Sequence, residues 1–161
     1  MIIPMSDYWI TTHWPVPKDI PDFSRHVFIK DRHIALPQVG DVVFIRESRS
    51  RPMSDGLTVR RVTRVHRGER TEHDLPEGFG GLVGMATISG APRLISPDDV
   101  IFEYGNLREW QLIPTRDFRR AELPYAVLKE MLNADSPRDL NLWKIPSDGR
   151  AHRLLAAMGL D

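Results

Sequence analysis

The sequence predicts an α+β fold: a mixed, largely antiparallel β-barrel of five to seven strands with small flanking helices. Three observations predict it. Short runs of Val, Ile and aromatic residues recur up to residue 118, each closed by proline, glycine or a charged cluster. Helical spacing of apolar residues is confined to 120–133 and 147–160. The chain has 161 residues, enough for one core that removes about two-thirds of the unfolded surface from water. The expected organisation is one domain over 1–161, with an arginine-rich ribbon or loop inserted at 51–80.

The elements follow in order. YWITTHWP (8–15) reads as a strand closed by Pro15. Trp9 and Trp14, five positions apart, fall on opposite faces of a regular strand, one for the core and one for a mouth. PVPKDIPD (15–22) is a proline-rich connection, and SRHVFIKDRHIAL (24–36) suits a strand or a turn. PQVGD (37–41) is a turn at Gly40 leading into VVFIRES, an apolar strand that delivers Arg46, Glu47 and Ser48 at its exit. LTVRRVTRVH (57–66) predicts a strand or a ribbon leaving the body, and RGERTEHDLPEGFGG (67–81) a polar loop. GLVGMATISG (81–90) is an apolar strand whose glycines admit close backbone approach. LISPDDVIFEYG (94–105) combines a turn with a short strand, and LREWQLIPTRDF (107–118) is a strand with Trp110, Leu112 and Ile113 as its apolar residues. Helices are expected at RAELPYAVLKEMLN (120–133) and SDGRAHRLLAAMGL (147–160), the second stopped by Gly159.

Composition excludes several functions. There is no cysteine, which removes disulfides, thiolate nucleophiles and cysteine-based zinc sites. The first fifteen residues lack the basic start and long apolar run of a signal peptide, and no run approaches the ~20 apolar residues of a membrane span. A cytoplasmic or nucleoid-associated protein with no membrane partner is expected. Net charge is zero, which argues against a generic polyanion binder. The charge is uneven, however. Residues 46–70 hold eight arginines against three acidic residues, and arginine outnumbers lysine 18 to 4 over the chain. Arginine suits bidentate phosphate contacts and stacking, although GC-rich coding also favours it.

Catalytic sets are missing. Six histidines occur without HxxxH spacing, and no P-loop, GxSxG or GxGxxG-helix pattern is present. GFGGLVG (78–84) leads into a strand, so the helix dipole that cradles phosphate is lacking. Asp98–Asp99, after Ser96-Pro97, reads as a turn. No catalytic residue, cofactor or metal is assigned, and the expectation is a protein that is not an enzyme.

Several stretches, in order, resemble EVE and YTH domains of the PUA-like fold. YWITTHWP is similar to the opening EVE strand, GDVVFIRES to the next signature with its serine exit, and GLVGMATISG to the glycine-rich central strand. REWQLIPTRDFRRAELPY and NLWKIPSDGRAH resemble the later strand-to-helix segment and the YTH ending. Residues 16–38 lack the tryptophan or asparagine that these families carry there. The Gly-x-Lys-x-x-Glu-x-Arg motif of ASCH domains, another PUA-like branch, is also absent. The resemblance implies a non-enzymatic reader that holds a modified base, flipped or single-stranded, in an aromatic pocket. It implies Thr12, His13, Trp14, Ser48 and Asp148 as pocket residues, with Phe102 or Tyr104 completing the cage. Arg46, Arg49, Arg51, Arg60, Arg61 and Arg64 would take phosphates. The partner would be modified DNA or RNA, alone or with a protein such as a nuclease. Three other readings stay open: a nucleotide or nucleoside binder, a protein-interaction module docking through 15–21 and 57–66, and, more distantly, a nuclease.

Overall fold

A computed structural model describes residues 6–16, 25–30, 35–48, 53–54, 57–58, 61–103, 110–132, 142–146 and 148–160. In chain order its strands are β1 (Tyr8–His13), β2 (Val27–Lys30), β3 (Val42–Glu47), β4 (Met53–Ser54), β5 (Leu57–Thr58), β6 (Arg61–His66), β7 (Glu69–Asp74), β8 (Leu82–Ile88), β9 (Arg93–Leu94), β10 (Ile101–Glu103), β11 (Trp110–Ile113), β12 (Thr115–Leu123) and β13 (Leu142–Lys144). The helices are α1 (Tyr125–Leu132) and α2 (Asp148–Met158).

The body is a five-stranded sheet in the order β12-β8-β3-β1-β13. Its centre is a parallel pair, β1 against β3, running from Tyr8↔Val42 to His13↔Glu47. The other pairings in this sheet are antiparallel. Residue parity assigns the two faces. Trp9, Val43, Ile45, Ala86 and Ile88 turn to one side and meet Val27, Ile29 and Ile113 from a second sheet, β2-β11-β9. Ile10, Phe44, Leu82 and Leu123 turn to the other side and are covered by Leu128, Leu132, Leu154 and Met158 of the two helices. A satellite cluster of Val16, Val62, Leu75 and Phe102 ties the three-stranded ribbon β10-β6-β7 to the body.

Asp41 fixes the start of the parallel pair. It is 7% exposed, yet its carboxylate accepts three hydrogen bonds, from Asp7 N–H (3.0 Å), Trp9 Nε1–H (3.0 Å) and Gln38 N–H (2.9 Å). The same residue thus closes the Gly40 turn, holds the backbone entering β1 and satisfies the buried indole. Trp9 is the core tryptophan expected from the spacing, at 4% exposure, and Trp14 is the outer one at 37%.

The α+β class holds, with four corrections. The sheets are open instead of closing into a barrel. Both faces of the main sheet are already covered, and its edges β12 and β13 do not pair with each other among the described residues. The single strand expected at 107–118 divides at Pro114: β11 belongs to the second sheet and β12 to the first. The first helix begins five residues later than expected, because Arg119, Arg120 and Leu123 still pair with β8. Pro124 then ends the ladder, and its carbonyl accepts the Leu128 N–H at 3.0 Å to open α1. The polar loop expected at 67–81 contains β7. Arg67 (φ 51°) and Gly68 (φ 78°) both adopt left-handed backbone, the geometry of a two-residue hairpin turn, so β6 and β7 form the ribbon foreseen for 57–66. The second helix falls within 147–160 as expected, and 98–99 is the expected turn.

Loss of the Asp41 carboxylate removes three bonds at once and strands the Trp9 indole. Asp41→Ala is expected to destabilise the fold by about 3 kcal/mol, read as a lower urea midpoint at unchanged m-value.

Candidate functional site

The carboxyl ends of β1 and β3 lie side by side, the place where parallel strands commonly present ligand-binding groups. The pair is pinned there by the Ser48 N–H, which donates to the His13 carbonyl at 2.8 Å. The glycine-rich segment 78–81 wraps the exit of β3. Glu47 N–H donates to the Gly81 carbonyl (3.0 Å), Phe79 N–H donates to Glu47 Oε1 (2.9 Å), and Arg46 Nε donates to the Gly80 carbonyl (3.4 Å). A Cβ on Gly78 would overlap the Ser48 carbonyl and press on Pro15, so only glycine lets the two segments meet.

Alternation then sends the exit residues to different sides. Thr12 and Arg46 share the helical face. There the Arg46 guanidinium lies 4.7 Å from the Tyr125 ring centroid, at the start of α1. His13 and Glu47, register partners, share the opposite face under the start of β2. Arg25 crosses above them. Its guanidinium is 3.9 Å from Glu47 Oε2 and 5.7 Å from the centroid of Phe118 on β12. The Phe28 ring packs at 6.0 Å from the His13 imidazole. The register of β12 against β8 shifts between Arg116 and Arg119, and Asp117 takes φ 56°. This bulge leaves Phe118 over Gly84, where a Cβ would strike the ring.

The result is a polar layer at one end of an apolar sandwich. Arg25 and Glu47 are nearly buried, with side chains 9% and 13% exposed. Burial, reinforced by the positive Arg25, holds the His13 imidazole down to about 3, well below its ordinary 6.5. His13 Nε2 is closed to solvent and has no hydrogen-bond partner. Burial also lowers His26, with the Arg93 charge acting in the same direction against an opposing Asp99. Its Nδ1 accepts the Thr115 N–H at 3.1 Å, as a neutral ring can. Arg93 grips Asp99 through two bonds of 2.7 Å, which holds that carboxyl at about 2. Among the described residues, no three His, Asp or Glu side chains are grouped to hold a metal, and no helix is long and apolar enough to cross a membrane.

No family model and no curated protein sequence matches this chain. Solved structures do. Two variants of the ZmASCH protein of Zymomonas mobilis, one tyrosine-to-phenylalanine and one serine-to-alanine, align with TM-scores of 0.59 and 0.58. They are 12% and 13% identical to this chain, with 93% and 96% of this chain and 97% and 98% of theirs covered. The ASCH structure from the same organism gives 0.54 at 12% identity, covering 93% of this chain and 94% of its own. The likeness is one of architecture: this chain shares the fold of those ASCH structures, although the ASCH motif is missing from its sequence.

Of the residues singled out from sequence, His13 and Ser48 meet at the β1–β3 exit through a backbone bond, and Trp14 follows His13 in the chain at 37% exposure. Thr12 is adjacent in chain but faces the helices with Arg46. Phe102 is 4% exposed inside the satellite cluster, opposite Arg64 in the ribbon. Asp148 opens α2 beside the Tyr8 end of β1, where His152 lies 3.4 Å from the Tyr8 hydroxyl, about 17 Å of strand away from His13. Arg46 is engaged by Gly80 and Tyr125. Arg61 meets Glu72 (3.3 Å) and Asp74 (3.6 Å) across the hairpin, and Arg64 has its Nε buried without a partner. Tyr104, Arg49, Arg51 and Arg60 lie outside the described residues. Sequence reasoning passed over Arg25, Glu47, Phe79 and Phe118. The parity of Glu47 with Val43 and Ile45 was the available signal for one of them; the others depend on tertiary contacts.

Gly78→Ala is expected to push segment 78–81 away from Ser48 and lower the thermal midpoint by several degrees, while Gly149→Ala, which has open space, changes it little. A pH effect has a defined sign. His13 stays neutral when folded but gains a proton when unfolded, so stability falls as pH drops from about 6.5 towards 3, and the lowered His26 acts in the same direction. The slope is about 1.4 kcal/mol per pH unit for a fully shifted histidine. His13→Leu should flatten denaturation free energy against pH between 6 and 4.5. Asp99 acts only at lower pH, its contribution being lost as pH falls from about 4 towards 2.

Proposed function

We propose that this domain binds single-stranded nucleic acid, RNA in the first instance, and holds one base at the β1–β3 exit without chemical change. The observation that carries the reading is the pairing of a nearly buried polar layer, His13, Glu47 and Arg25, with the half-exposed Phe118 ring against Arg25, at 38%, while Trp14, next in the chain after His13, is the second half-exposed ring, at 37%. Exposed aromatics stack on bases of any identity, and buried hydrogen-bonding groups distinguish base edges. The resemblance in sequence to EVE and YTH domains, which implies a base held in an aromatic pocket, supports this reading.

On this reading phosphates are also met by arginines beyond those expected in 46–64. Arg116, Arg119 and Arg120 stand exposed on edge strand β12, on either side of Phe118. Arg116 and Arg120 face only surface carboxylates, Asp117 at 3.8 Å and Glu122 at 3.4 Å, and such pairs are worth little in water. Arg61 is more fully matched by its two acidic neighbours.

Fluorescence polarisation tests the reading with short single- and double-stranded RNA and DNA, unmodified or carrying N6-methyladenine, 5-methylcytosine or 5-hydroxymethylcytosine. Single-stranded probes should bind best. Trp14→Ala and Phe118→Ala should each weaken binding about 5- to 30-fold, as one lost stacking contact does. Three phosphate contacts give a slope of about −2 in log K against log salt for a single strand, reduced when Arg116, Arg119 and Arg120 become alanine. Absence of binding to every probe at low salt would exclude the reading. Equal binding of free nucleotides and oligonucleotides would make the site a small-molecule pocket.

A further inference from the structure

The polar layer has a donor and acceptor pattern that selects among bases. Resting on the nucleic-acid reading above, the geometry points to a guanine edge as the ligand of His13, Glu47 and Arg25. His13 and Glu47 are neighbours on one face of the parallel pair. Adjacent strands lie about 4.8 Å apart, so both side chains address the same ligand. Nε2 of His13 is buried without a partner. Glu47 is acceptor-only. One oxygen takes the Phe79 N–H at 2.9 Å, and the other stands 3.9 Å from Arg25, longer than the 2.7–2.9 Å of a well-made charge-assisted bond. Arg25 is donor-only. The layer therefore offers two acceptors and one donor group.

An orphaned acceptor beside a loosely paired carboxylate is unfavourable as packing, and apolar residues would fill the space at lower cost. Donors supplied by a ligand remove the penalty. The Watson–Crick edge of guanine presents two adjacent donors, N1–H and the N2 amino group, next to the O6 acceptor. N1–H and N2–H match Glu47 and His13, and O6 matches Arg25. Uracil presents acceptor, donor, acceptor, and sets its carbonyls against the carboxylate. Adenine and cytosine each present one donor beside a ring-nitrogen acceptor. His13 is neutral at physiological pH, and Nε2 accepts in the tautomer that carries the ring proton on Nδ1. Because Nε2 is closed to solvent, a base edge that reaches it displaces a side chain packed on the imidazole, the Phe28 ring.

The test uses the full chain and labelled octauridylate in which one central position is guanosine, inosine, 2-aminopurine, adenosine or cytidine. Inosine lacks the N2 amino group, and 2-aminopurine lacks N1–H and O6. Guanosine is expected to bind about tenfold more tightly than inosine, and more tightly still than the other probes. In His13→Leu, which removes the acceptor assigned to N2–H, guanosine and inosine should bind alike. Thermal melting verifies that this variant folds, and the guanosine-to-inosine ratio of the unaltered chain decides the matter without it. Equal affinity of all probes for the unaltered chain would overturn the guanine assignment, leave Nε2 to a buried water, and keep the nucleic-acid reading intact. Failure of every probe to bind would instead remove the nucleic-acid reading itself.

Discussion

The parallel pairing of β1 with β3 is the constraint on which the rest of the structure depends. It joins residues 34 positions apart, and every other strand of the main sheet is added to one of its two sides. Asp41 anchors its start with three hydrogen bonds, and the Ser48–His13 bond with segment 78–81 anchors its exit. Between those ends the ladder keeps its register for six consecutive pairs. A slip by one residue would turn Trp9, Val43 and Ile45 to the helical side and bring Arg46 into the sandwich. The apolar pattern of both strands forbids that slip.

Fixed register has a chemical consequence at the exit. The last inward position of each strand is polar, His13 on β1 and Glu47 on β3, where the cores of both strands would lead one to expect an apolar residue. They are tolerated because Arg25, the Phe79 amide and the ring of Phe28 enclose them. Hydrogen bonding within that enclosure is unmet at one atom, His13 Nε2, and loose at another, Glu47 Oε2. A core designed for stability alone would place leucine or valine at both positions. Polar residues held in such a setting, bordered by exposed aromatic rings, have the features of a recognition site.

Local structure was largely legible in the sequence. VVFIRES, GLVGMATI and YWITTH carry β-branched and aromatic residues at strand spacing, and each forms a strand close to its expected bounds. The alternation of Trp9 and Trp14 gave one core and one exposed ring. The errors have physical causes. At 120–123, helical propensity yielded to the β8 ladder, and Pro124 set the boundary. At Arg67-Gly68, an arginine adopts left-handed backbone beside a glycine, a turn that composition does not announce. For the site, adjacency in chain was mistaken for adjacency in space. Thr12 follows alternation to the helices, and Asp148 sits at the far end of β1. Arg25 and Phe118 reach the site only through the packing of β2 and the β12 bulge over the main sheet, which no local pattern encodes. Ser48 stands at the strand exit, where its backbone holds the corner, while the nearly buried side chain beside it, Glu47, carries the charge.

The most direct test of a recognition site at the β1–β3 exit is an amide and indole NMR titration of the isotope-labelled chain with a short single-stranded RNA containing guanosine. The site predicts saturable shifts at His13, Ser48, Phe79 and Phe118 and at the Trp14 indole, with the amides of α2 and of the β6–β7 ribbon unchanged. Shifts confined to the ribbon or to the helical face, with the Trp14 indole unmoved, would contradict it and transfer the binding surface elsewhere on the same fold.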